Sequence, residues 1–187
     1  MRLKVSIPES LDDFTIEQFQ AVNEINNKEL TEEENKEEFL KLFTGVENVN
    51  DILKKDRDHL ITCIEKALIK KGSFQNRFTL NGIDFGMIPN FDKITGSEYT
   101  DLIKYFDKIE DLHKLMAVVF RPIKLKDVFK NYQIVNYNGT HELSELMKQT
   151  PMSVVKGFNG FFLTLSNDLK AYTQKSMEEA QAKAMAL

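Results

Sequence analysis

Residues 77–106 read RFTLNGIDFGMIPNFDKITGSEYTDLIKYF. Phe78 and Leu80 alternate with Arg77 and Thr79, Asn81-Gly82 follows, and Ile83, Asp84 and Phe85 come next. Two such runs around Asn-Gly predict a β-hairpin, because a type I′ turn needs positive φ at both central residues. Gly86 fits a bulge or a close approach of other backbone. Pro89-Asn90 reads as a loop. Thr95-Gly96-Ser97-Glu98 has capping-box spacing: the threonine hydroxyl accepts an N–H three residues on, and the glutamate reaches back. It opens a helix with Tyr99, Leu102, Ile103 and Phe106 on one face. The stretch reads as a structural joint between an N-terminal helical half and a Phe-rich C-terminal half.

Working back from the joint, the pattern is mostly helical. Residues 2–7 alternate, with Leu3, Val5 and Ile7 on one side, and predict a short strand ended by Pro8. Asp13 or Thr15 caps a helix carrying Ile16, Phe19, Val22 and Ile25. Thr31 with Glu34 is another capping box, and the acidic first turn suits the positive end of the helix dipole. Phe39, Leu40, Leu42 and Phe43 mark its buried side, and Gly45 ends it. A third helical pattern runs from Asn50 to Lys71, with Leu53, Leu60, Ile61, Ile64 and Leu68 on its face. Asp56 and Asp58 interrupt its regularity, which allows two pieces.

Working forward, Leu112, Leu115, Met116, Val119 and Phe120 mark a helix cut off by Pro122. Residues 123–137 allow two readings. Val128 and Phe129 suggest a short helix, whereas Tyr132, Ile134 and Val135 suit a strand before the turn at Asn138-Gly139. Thr140 caps a short helix bearing Leu143, Leu146 and Met147. Thr150-Pro151 reads as N-cap and first residue of a long helix, whose stripe runs from Val154 and Val155 through Phe158, Phe161 and Phe162 to Tyr172. The expectation is a mainly α fold: a helical bundle-like domain over residues 1–175, with a small β-hairpin at about 77–86 and a short N-terminal strand. Residues 176–187 read as a weakly ordered or helical tail.

The bulk composition narrows function more than it defines it. Over 187 residues the apolar fraction is 42%, the charged fraction 29% and the net charge −4, so no global basic field invites nucleic acid. The single cysteine, Cys63, allows neither an intrachain disulfide nor the usual thiolate zinc site. The opening MRLKVSIPES has no secretory h-region. No apolar run reaches the roughly 18 residues of a membrane span, so no membrane anchor is expected.

Three chemical constellations compete with plainer readings. Glu110-Asp111-Leu112-His113 has the Glu-x-x-His spacing of di-iron carboxylate bundles, but such sites need a second copy of the motif. The nearest partner, Asp56-Arg57-Asp58-His59, has Asp for Glu. Arg77, Lys93, Lys104, Lys108 and Arg121, with Tyr99 and Tyr105, resemble a basic–aromatic patch, but Glu98, Asp101, Asp107 and Glu110 are interleaved among them. Cys63 lies beside Leu60 and Ile64 and reads as a packed thiol. No catalytic, cofactor-binding or metal-binding residue is assigned. Gly157 and Gly160 remain: each costs about 1 kcal/mol relative to alanine inside a helix. Either another backbone approaches closely there, or the surface meets a partner. Gly157, Phe158, Gly160, Phe161 and Phe162 are the candidate protein-interaction residues.

Four stretches carry a family resemblance: FGMIPNFDKITGSEYTDL at 85–102, LHKLMAVVFRPI at 112–123, MKQTPMSVVKGFNGFFLTLSNDL at 147–169 and the opening IPESLDDFTIEQFQ at 7–20. Together they resemble small α-helical proteins encoded beside structural genes in tailed phages of Bacteroidetes, crAss-like phages among them. That family's helix start often reads Thr-x-Gly-Glu, where this chain has Thr95-Gly96-Ser97-Glu98. The resemblance implies a non-enzymatic, virion-associated protein, made in the bacterial host cytoplasm and carried as cargo in the capsid or tail interior. Tail assembly chaperones, absent from the finished particle, are the alternative it implies. In either case the implied partners are other phage structural proteins (tail, portal or capsid) and copies of the chain itself.

Overall fold

A computed structural model describes residues 7–70, 73–106, 108–126 and 131–158. The helices begin where the sequence supplies caps. Ser10 and Asp13 close a capping box on the 3-10 turn Leu11–Asp13, and Thr15 with Gln18 closes another on α1, Ile16–Asn26. Thr31 and Glu34 do the same for α2, Glu32–Thr44, which ends at Gly45 in the left-handed region with φ +66°. The third helical pattern is divided before α3, into a 3-10 turn at Val49–Asp51 and α3, Lys54–Leu68; Asp56 and Asp58, expected to interrupt it, lie inside the continuous helix.

The hairpin forms as its turn chemistry requires. Strand β1, Arg77–Leu80, pairs antiparallel with β2, Ile83–Met87. Asn81 and Gly82 take φ +49° and +76°, the two positive values of the expected turn. After a 3-10 turn at Phe91–Lys93, the Thr95–Glu98 capping box opens α4, Gly96–Tyr105. The face of α4 differs from expectation. Glu98, Leu102 and Tyr105 are buried, while Tyr99 and Ile103 are exposed.

The expected mainly α, bundle-like architecture is overturned: the fold is mixed α/β, and the described residues build a four-stranded antiparallel sheet in the order β1-β2-β3-β4. Helix α5, Leu112–Val119, passes directly into β3, Phe120–Lys126, which pairs with β2 on one side and β4, Tyr132–Ile134, on the other. In the sequence Pro122 signals only a helix stop. In the structure it stands inside β3, opposite Phe85. Its carbonyl accepts from Val135 N–H at 2.9 Å, and β4 ends at Ile134, so the missing proline N–H falls where the ladder closes. Of the two readings for 123–137, the strand is present at 132–134, and residues 127–130 lie outside the described set. So does the expected N-terminal strand, apart from Ile7.

The chain then forms α6, Ser144–Met147, and is helical again over residues 152–158. This last helix starts just after the expected Thr150-Pro151 cap. Pro151 forms an isolated antiparallel bridge with Thr15, and the Thr150 carbonyl accepts from Ile16 N–H at 3.1 Å. The start of α1 is thereby tied to the segment before the last helix. The sheet's inner face carries Phe78 and Phe85, stacked with centroids 5.4 Å apart, and Phe120 edge-on to Phe78 at 5.2 Å. Against them lies α5, buried at all of Leu112, Leu115, Met116, Ala117, Val118 and Val119, and one apolar cluster runs from Leu11 to Phe158. Phe85 and Phe120 are fully removed from water and Phe78 partly so, and burial of such rings supplies much of the drive to fold.

Candidate functional site

Of the five expected interaction residues, the structure describes two, and both face inward. A Cβ built on Gly157 would lie 2.2 Å from the Ser73 carbonyl oxygen and 2.8 Å from Phe74 Cα. The glycine therefore admits the backbone that leads into β1, which accounts for its presence despite the helical cost. Lys156 reinforces the contact by donating to the Leu68 carbonyl. Phe158 has no exposed surface, and its ring meets Phe120 edge-on at 5.9 Å. Gly160, Phe161 and Phe162 lie outside the described residues.

The polar chemistry gathers at two places where residues far apart in sequence meet. In the first, Arg121 of β3 and Glu98 of α4 form an ion pair with side chains 7% and 6% exposed. The Thr95 backbone N–H (2.6 Å) and hydroxyl (2.7 Å) donate to the same carboxylate. Burial pushes the Glu98 carboxyl up, but the Thr95 donors and the Arg121 guanidinium outweigh it and hold the group below its ordinary value. The guanidinium carbon lies 5.6 Å from the centre of the Tyr137 ring, and the Tyr137 hydroxyl donates to Asp101 at 2.5 Å. Burial, then the Asp101 carboxylate, drives the tyrosine well above its ordinary value. Arg121 Nε is buried with no hydrogen-bond partner. This cluster joins α4, β3 and the segment after β4. It also removes Arg121 from the basic–aromatic patch suggested by sequence.

In the second, Gln20 of α1 reaches the chain around His113. Its Nε2 donates to the Ile109 and Glu110 carbonyls at 2.7 and 2.8 Å and lies 3.0 Å from His113 Nδ1. The Glu110 group engaged here is its main-chain carbonyl. The other half of the imagined di-metal pattern is distant in character: His59 Nε2 lies 3.6 Å from the half-buried Cys63 sulfur, one turn along α3. Among the described residues, no three His, Cys, Asp or Glu side chains converge as metal ligands would.

The outer face of the sheet has its own device. The Tyr132 ring of β4 lies across β3 onto Gly86, so that a Cβ there would come within 2.4 Å of Cε2. The Tyr132 hydroxyl donates to the Met87 carbonyl at 2.8 Å, and the Arg77 guanidinium sits 5.7 Å from the ring centre. The close approach that Gly86 suggested is thus made by a side chain. Nearby, Asp84 accepts from Thr79 and pairs with Lys126.

Open hollows of about 510 Å³ and 470 Å³ lie beside Ile7 and Asn131, at ends of described segments. Among the described residues, no helix is long and apolar enough to cross a membrane. No protein-family model, curated protein or solved structure matches the chain.

Proposed function

We propose that the chain is a non-enzymatic, virion-associated protein of a tailed phage, packaged as cargo in the capsid or tail and ejected at infection. Its partners in this reading are other phage structural proteins (tail, portal or capsid) and copies of itself. The reading rests on the four stretches that resemble such proteins. In the structure these stretches, far apart in sequence, pack together and so form one connected part of the fold. Residues 85–102 and 112–123 share the β2–β3 ladder and the Glu98–Arg121 pair. Residues 7–20 and 147–158 share the Thr15–Pro151 bridge and the Met152 N–H to Phe14 carbonyl bond of 2.8 Å.

The topology also suits passage through a narrow channel. Among the described residues every strand neighbours its sequence neighbour in the sheet, with β1 and β4 outermost. Once the helices outside it are drawn off, a pull from either end reaches an edge strand of this set before the inner ones. One cysteine in the sequence means that no intrachain disulfide closes a loop against threading. Mass spectrometry of density-purified particles tests the proposal. The protein at one or more copies per particle supports it. Absence from particles, with the protein abundant in infected cells, overturns it in favour of a tail assembly chaperone.

A further inference from the structure

Three parts of the chain meet at the side-chain amide of Gln20. It projects from α1 and faces the Ile109 and Glu110 carbonyl oxygens of the 3-10 turn Ile109–Asp111, together with His113 Nδ1 of α5. The two carbonyls decide the amide's orientation, because the reversed group would set Oε1 against two oxygens at 2.7 and 2.8 Å. The –NH2 group shares two donor hydrogens among the three atoms around it and offers no acceptor of its own. A hydrogen on His113 Nδ1 would point at those donors from 3.0 Å. The contact therefore requires a lone pair on Nδ1, and so a neutral imidazole with its proton on Nε2.

We propose that Gln20 and His113 form an acid-released latch: protonation of His113 at Nδ1 expels the Gln20 amide and uncouples α1 from the Ile109–Asp111 turn. His113 is buried, with 7% of the residue exposed. Asp111 and Lys114 face it from its own end of α5, and Glu145 and Lys148 from α6 and the residue after it. Helix α1 brings the neutral Gln20, with Glu17 and Glu24 a turn away on either side. Burial first, then Lys148 and Lys114, hold His113 below its ordinary value, against the opposite pull of Glu145 and Asp111.

The sign follows from linkage. The unfolded chain protonates His113 near its ordinary pKa of about 6.5, while the folded chain does so only at lower pH. The latch's contribution is complete above that ordinary value and is lost as pH falls through the folded one. Between the two, the unfolding equilibrium rises by up to about tenfold per pH unit.

Two measurements on the full chain test the latch. Imidazole 15N shifts of histidine-labelled protein should show His113 as the Nε2–H tautomer at neutral pH, titrating below about 6.5. Amide exchange of residues 16–26 and 109–119, corrected for intrinsic rates, should quicken by about tenfold per pH unit below that value. In His113→Asn, which cannot titrate, exchange in these segments should be flat with pH. An Nδ1–H tautomer, a titration at or above the ordinary value, or an unchanged pH response in His113→Asn overturns the latch. If the variant does not fold, the tautomer and titration of His113 in the wild-type chain are sufficient to uphold or overturn it.

Discussion

Replacing Gly157 by alanine sets two effects of known size against each other. In open space the change favours the helix by about 1 kcal/mol. Here the new methyl carbon would stand 2.2 Å from the Ser73 carbonyl oxygen, 2.6 Å from its carbon and 2.8 Å from Phe74 Cα. Non-bonded carbon contacts sit at about 3.5–4.0 Å, so the helix must retreat by roughly 1 Å. The obstructing atoms are backbone and cannot rotate aside. Overpacking of this kind costs about 1–3 kcal/mol, and a rigid obstacle places it at the upper end. Subtracting the helical gain leaves a net loss of about 2 kcal/mol. At about 2–4 °C per kcal/mol for a chain of this size, the melting temperature should fall by about 4–8 °C. Circular dichroism melts and urea midpoints measure it. Gly96→Ala is the control, because nothing lies within 4 Å of a Cβ there; it should melt at or slightly above wild type. A Gly157→Ala chain as stable as wild type, or more so, refutes the close approach of Ser73-Phe74.

Other consequences follow from the same structure. Arg121→Met leaves the Glu98 carboxylate buried with only the Thr95 donors, and should cost about 3 kcal/mol by urea unfolding, the low end for breaking a buried pair; a loss below about 1 kcal/mol means the pair is not shielded from water. Because the folded Glu98 carboxyl is held below its unfolded value, its contribution is present above about pH 4.3 and is lost as pH falls through the folded value; Glu98→Gln should flatten that part of the stability–pH curve. Tyr132→Phe removes the hydroxyl bond to Met87 and should cost about 1 kcal/mol, whereas an unchanged urea midpoint means that bond contributes nothing. Gly82→Val forces a β-branched residue to φ +76° with no steric obstacle nearby, so its cost is backbone strain of about 1–2 kcal/mol; an unchanged melting temperature means the type I′ turn is absent.

What the sequence revealed was local. Asn81-Gly82, the Thr31 and Thr95 capping boxes and Gly45 each act within about four residues, and the chemistry that sets them is written in consecutive letters. The sheet was not legible, because its outer half depends on pairing across distance. Phe120-Arg121-Pro122 has the pattern of a helix stop, and only the partners Met87, Gly86 and Phe85 turn it into a strand. Tyr132 hints at extension, but its role over Gly86 needs β3 in place between them. The polar clusters were hidden for the same reason. Glu98 has the spacing of a helix cap, and is one, yet its second partner Arg121 lies 23 residues on; Gln20 and His113 are separated by 93. For Gly157 the sequence posed the right question, a close backbone or a partner. The Ser73-Phe74 backbone that meets it was not readable from the helix pattern.

The central claim, a protein carried in the particle and released at infection, is tested most directly by comparing full particles with particles emptied of DNA. Quantitative mass spectrometry of the two, normalised to the major capsid protein, should find the chain in full particles and strongly depleted in emptied ones. Equal amounts in both would make it a fixed structural component, and absence from both would leave it outside the virion; either result contradicts the proposal.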